Sequence, residues 1–129
     1  MPLNGMRTSN GLTMTTDPLF GKVAWKDTEL EKDFQERVCH LARLYGWKIY
    51  SVPDSRRVSL SGYPDLTMWH VGQGRLAFAE LKREKGKVSE SQKIVLSELG
   101  TLGVEVYLWR PSDWDSILEI LKGDNVSKR

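Results

Sequence analysis

The chain has 129 residues, 40% apolar and 28% charged, with a formal charge of +2. That length suits one compact domain, and the charge is too small to mark the whole surface as a polyanion binder, so any such surface must be locally concentrated. One cysteine, Cys39, and two distant histidines, His40 and His70, exclude a disulfide framework and supply a zinc site poorly, whereas carboxylates suited to Mg²⁺ or Mn²⁺ are plentiful.

Residues 1–26 are rich in Gly, Thr, Asn, Met and Pro and show no sustained period, which predicts a flexible arm. Asp27 or Thr28 can cap a first helix, in which Leu30, Phe34, Val38, Leu41 and Tyr45 form one apolar stripe ending at Gly46. Trp47 to Val52 alternates as a strand does, and Pro53 to Pro64 is a polar loop carrying Arg56, Arg57 and Gly62. Asp65 to Val71 and Arg75 to Lys82 form a hairpin about the turn Gly72-Gln73-Gly74. Ser89 and Gln92 have the capping-box spacing and open a helix that ends near Gly100 or Gly103. Val104 to Trp109 is a mostly apolar strand, expected inside the sheet. Ser112 is expected to cap a last helix with Trp114, Ile117, Leu118 and Leu121 inward. The order αβββαβα predicts an α/β domain over 27–122 with a mixed central sheet, followed by a frayed tail over 123–129. No apolar run is long enough to span a bilayer and the N-terminus lacks a signal-peptide core, so a cytoplasmic, reducing setting without membrane is expected.

The chemistry is concentrated in Gly62-Tyr63-Pro64-Asp65, followed after fourteen residues by Glu80-Leu81-Lys82. Side chains alternate along a strand, so Glu80 and Lys82 share one face while Leu81 enters the core. The hairpin brings Asp65 across from them. Two carboxylates can hold Mg²⁺ while leaving positions for water and a phosphate oxygen, and an ammonium beside them can offset charge developing at phosphorus. Alone, each residue reads as a solvated pair or a turn cap. Their convergence on one hairpin is what points to phosphodiester hydrolysis.

Six segments occur in order: Glu31-Lys32-Asp33-Phe34-Gln35, Ser55-Arg56-Arg57, Gly62-Tyr63-Pro64-Asp65-Leu66, Phe78-Ala79-Glu80-Leu81-Lys82, the stretch from Gly86 through Ser89 to Gln92, and Val104 to Arg110. Together they resemble a VRR-NUC domain of the PD-(D/E)xK nuclease superfamily, small stand-alone members of which are often phage-encoded. The resemblance implies a restriction-endonuclease-like core, metal binding by Asp65, Glu80 and the carbonyl of Leu81, and catalysis by Lys82. It further implies an acid from the first helix and a glutamine from the helix after the motif. Among Glu29, Glu31, Asp33 and Glu36, at roughly 100° per residue, Glu31 lies at the edge of the apolar stripe while Glu29 and Glu36 face away, so Glu31 is the acid able to look toward the sheet. It also completes a Thr28-Glu31 capping box, and Gln92 completes its own, so both residues carry a structural reading beside the catalytic one. Arg56, Arg57, Arg83, Lys85 and Lys87 are candidate phosphate contacts, with a solvated face as the alternative for Lys85 and Lys87. Tyr63 reads as packing more readily than as a base-stacking group, Cys39 and His40 as structural, and His70 as an exposed residue near the hairpin turn.

The resemblance implies a Mg²⁺-dependent endonuclease (Mn²⁺ substituting) acting on branched DNA, as a homodimer that resolves four-way junctions. A flap- or nick-directed or restriction-like nuclease is the alternative. A DNA-binding module without catalysis is a further one, against which intact Asp65, Glu80 and Lys82 argue.

Overall fold

The computed structural model describes residues 6–7, 12–17, 21–26, 29–52 and 59–123. Its elements are β1 (Met6–Arg7), β2 (Leu12–Asp17), β3 (Gly21–Lys26), α1 (Glu31–Leu44), β4 (Lys48–Ser51), β5 (Leu66–His70), β6 (Arg75–Leu81), α2 (Glu90–Thr101), β7 (Glu105–Trp109) and α3 (Trp114–Lys122). From α1 onward the order is the expected αβββαβα.

The first segment departs from expectation. β1, β2 and β3 form a three-stranded antiparallel sheet within what the sequence suggests is an arm without regular structure. Short period-2 runs do occur in the sequence there, Leu12 with Met14 and Val23 with Trp25, but they are brief and set among Gly, Thr, Asn and Pro. The tail over 124–129 lies outside the described residues.

The central sheet has the order β4-β5-β6-β7, antiparallel except for the parallel β6–β7 pair. A parallel pair needs a crossover, and α2 supplies it. This places β7 at an edge, correcting its expected internal position. Its residues meet the buried core on one side and α2 on the other, so an edge strand can be as apolar as a central one. One sheet face carries Leu66, Met68, Ala77, Ala79, Leu81 and Trp109, which pack with Phe34, Val38, Leu41, Ala42 of α1 and Trp114, Ile117, Leu121 of α3. The opposite face carries Thr67, Phe78, Glu80 and Val106.

Two helix starts also differ from expectation. α1 begins at Glu31 with Leu30 as its N-cap and no side-chain cap from Leu30. Asp27 and Thr28 lie outside the described residues. Glu29, just before the helix, instead pairs with Arg37 at 2.8 Å, and Arg37 lies over the Trp114 ring at 4.3 Å. Before α3 the chain makes a 3-10 turn, Pro111–Asp113, in which the Asp113 carboxylate accepts the backbone N–H of Arg110 at 2.8 Å. Ser112 is therefore not the cap, and its N–H donates to Glu84 at 3.0 Å. Pro111 sets a turn that brings the Asp113 carboxylate to the free backbone N–H.

The hairpin turn end is held by a polar cluster with no local sequence signature. Arg75 is 8% exposed and donates through Nε to Glu105 at 2.8 Å, and through Nη1 to Gln73 and to the Ile120 carbonyl, both at 2.7 Å. Its guanidinium also lies 4.8 Å from the Trp47 ring centre. Burial and the Glu105 carboxylate push the Tyr107 hydroxyl up to about 12. His70 belongs to this end. Its Nδ1 accepts the Gln73 N–H at 3.0 Å, so Nε2 carries the proton given to the Tyr45 carbonyl at 2.8 Å. It is half-buried rather than exposed, and it braces the turn.

Candidate active site

At the other end of the sheet the β5–β6 register, Leu66 opposite Ala79, leads Asp65 to a position across from Glu80. Pro64, fully buried, and the Val52 N–H, which donates to the Asp65 carbonyl at 3.3 Å, fix the backbone there. Asp65 Oδ2 accepts the Leu81 N–H at 2.9 Å, which turns its carboxylate toward the end of β6. Leu81 itself is buried in the core, and the Lys82 N–H continues the parallel ladder to the Trp109 carbonyl at 3.0 Å.

Glu80 is 1% exposed. Its Oε2 accepts from Gln92 Nε2 at 2.7 Å and lies 3.8 Å from Lys82 Nζ, while its Oε1 is buried without a hydrogen-bond partner among the described residues. Loss of hydration, reinforced by the Asp65 carboxylate and opposed by Lys82, pushes the Glu80 carboxyl up to about 8. Asp65 is raised for the same first reason, burial, against the pull of the Leu81 N–H and Lys82. Two carboxylates sharing a poorly hydrated site in this way resist being charged together unless a cation joins them.

Glu31 opens α1 at the same end. Its carboxyl is raised, first by burial and then by Asp65, and lowered by Lys82 and Arg83. It lines, with Asp65, an open groove of about 820 Å³ that runs along α1 past Lys32, Cys39, His40 and Arg43. A smaller hollow of about 300 Å³, between Tyr63 and the first turn of α2, opens on Asp65 from the other side. The capping box of α2 is present: Ser89 Oγ accepts the Gln92 N–H at 3.2 Å and Gln92 Oε1 accepts the Ser89 N–H at 2.9 Å. Because the carboxamide has both an acceptor and donors, Gln92 caps the helix with one end and meets Glu80 with the other. Its two readings are compatible.

The structure thus brings Asp65, Glu80, Lys82, Glu31 and Gln92 to one place. Arg83, Lys85 and Lys87 are exposed on the loop between β6 and α2. Arg56 and Arg57 lie outside the described residues. Tyr63 donates to or accepts from Thr67 Oγ1 at 2.8 Å and meets Phe78 edge-on at 6.3 Å, which is a packing role. Sequence reasoning misses Arg110. Its Nη1 donates to the carbonyls of Arg83, Glu84 and Gly86 at 2.8, 3.1 and 2.8 Å and holds the loop that follows Lys82. Nothing local in the sequence signals three carbonyls gathered on one guanidinium.

A mixed four-stranded sheet with helices on both faces, and an acid on one strand opposite Glu-x-Lys on the next, define a nuclease of the PD-(D/E)xK class. The VRR-NUC domain model matches residues 23–113. The chain belongs to the VRR-NUC family of that superfamily, and so is a nuclease, a hydrolase acting on DNA. No curated protein and no solved structure matches it. No helix among the described residues is long and apolar enough to cross a membrane.

Proposed function

We propose that the chain is a Mg²⁺- or Mn²⁺-dependent, structure-specific endonuclease that acts on four-way junctions as a homodimer. The observation that carries the metal is the buried Glu80 Oε1 beside Asp65, unpartnered among the described residues. Hard carboxylate oxygens suit these ions, and an unpaired buried oxygen is costly unless something binds it. Among the described residues no group of three His, Cys, Asp or Glu side chains is arranged to hold a metal unaided. In this reading Asp65, Glu80 and the carbonyl of Leu81 would hold the ion, with its remaining positions open to water and a phosphate oxygen. When bound, such an ion supplies Lewis-acid polarisation of the phosphate and a more acidic water.

The remaining roles fall to the chain itself. Lys82, mostly buried beside Glu80, orients the attacking water and offsets negative charge as its oxygen bonds to phosphorus and the bond to the leaving oxygen breaks. The leaving oxygen ends protonated. Gln92 holds Glu80 in one orientation, and Glu31 adds a third carboxyl next to Asp65. Arg83, Lys85 and Lys87, with Arg56 and Arg57 on the preceding loop, supply phosphate contacts.

Symmetry is what supports the branched substrate and the dimer. One domain with one site meets a junction that presents two equivalent strands about a two-fold axis, and an isologous dimer supplies two sites with that symmetry. The test incubates the protein with Mg²⁺, Mn²⁺ or chelator and with junction, flap, splayed and duplex DNAs, alongside light scattering and mapping of both cuts. Paired symmetric cuts in the junction, lost with chelator and in Asp65→Ala, are expected. Cleavage that survives chelation overturns the metal; a monomer that nicks only flaps overturns the resolvase reading.

A further inference from the structure

Gly62 sits in the loop before Asp65 with φ +89°, a left-handed value that favours glycine. A Cβ there would overlap the backbone carbonyl of Ser91 and stand 2.8 Å from the amide nitrogen of Gln92. The loop therefore lies directly on the first turn of α2, backbone against backbone. Ser61 Oγ donates to Ser91 Oγ at 3.1 Å, and Ser91 Oγ is 3.2 Å from Ser89 Oγ, so a row of hydroxyls joins the loop to the helix cap. In the same turn, Gln92 is held at its Oε1 by the Ser89 N–H and reaches Glu80 Oε2 with its Nε2.

We propose that Gly62 and Ser89 are positioning residues that act through Gln92. The loop at Gly62 sets where the first turn of α2 rests, the Ser89 cap sets how that turn is wound, and together they aim the Gln92 carboxamide at Glu80. A carboxamide has a freely rotating terminal torsion, and one anchored end is what selects the orientation that points Nε2 at the carboxylate. The same loop leads through the buried Pro64 to Asp65, so one contact locates both carboxylates of the site relative to each other. This inference rests on the nuclease reading for its catalytic consequence but not for its geometry.

The test combines cleavage with a readout that needs no activity. In the metal-free protein, the side-chain amide signals of Gln92 in a ¹⁵N correlation spectrum are expected to be shifted and slow to exchange. In Gly62→Ala and Ser89→Ala they should move to ordinary exposed-amide positions and exchange quickly, while Ser89→Thr keeps them. Each single variant, and Gln92→Ala, should lose roughly 10–100-fold in cleavage rate, the range seen for partners that orient a site residue. Gly62→Ala or Ser89→Ala added to Gln92→Ala should lose less than about threefold more, since residues acting through one group are not additive. Losses that multiply, or an unchanged Gln92 amide in both variants, overturn the proposal. Should Gly62→Ala fail to fold, Ser89→Ala, which removes only a cap, decides alone. Should the wild type cut no DNA, the nuclease reading fails while the amide signals still decide the positioning.

Discussion

Replacing Glu80 with glutamine should make the metal-free protein more stable while it abolishes cleavage. Glu80 is buried, with one oxygen on Gln92 and the other unpartnered among the described residues. Burial first, then Asp65, raises its carboxyl from 4.5 to about 8. Between those values the folded state keeps a proton that the unfolded chain has released, so stability is greatest below 4.5 and falls as pH rises toward 8. At about 1.36 kcal/mol per pH unit, the loss accumulated by pH 7 is at most about 3 kcal/mol. Glutamine has the same shape, keeps an acceptor for Gln92 and carries no charge to desolvate. Urea unfolding followed by tryptophan fluorescence, in chelator and from pH 4.5 to 8, should show Glu80→Gln more stable by about 1–3 kcal/mol at pH 7. The gap should close toward pH 4.5. A variant less stable than wild type at pH 7, or a gap independent of pH, refutes the account of the Glu80 environment.

Other perturbations separate the parts of the site from the parts of the scaffold. Lys82→Ala should keep metal binding by calorimetry yet lose roughly 10²–10³ in single-turnover rate, the usual worth of a positioned charge in a transition state; metal binding abolished with it would deny Lys82 its role. Arg75→Met leaves Glu105 without its main partner and should cost about 3 kcal/mol in urea unfolding, near the lower end for a broken buried pair because Glu105 keeps some solvent. A cost below about 1 kcal/mol would mean the cluster does not hold the hairpin end. Replacing Arg83, Lys85 and Lys87 with alanine should reduce the salt dependence of DNA binding by about 0.9 in log–log slope for each phosphate that one of them neutralises. An unchanged slope would leave them as a solvated loop.

Features that depend on neighbours along the chain are legible without a tertiary structure. The stripe of Phe34, Val38 and Leu41, the alternation that sends Leu81 inward and Glu80 and Lys82 to the other face, the glycine turn of the hairpin and the Ser89–Gln92 cap are all set within a few residues. From these come the αβββαβα order and the approach of Asp65 to Glu80, because a tight turn fixes register and register fixes which side chains face each other. Contacts between distant segments are another matter. The start of α1 at Glu31 and the edge position of β7 follow from how elements dock, which no local period encodes. Arg75 reads as an ordinary surface cation until Glu105, Gln73 and the Ile120 carbonyl close around it. The seat of Gly62 on α2 is likewise invisible in the sequence, since it joins backbones about thirty residues apart, and steric exclusion acts only once the chain has brought them together.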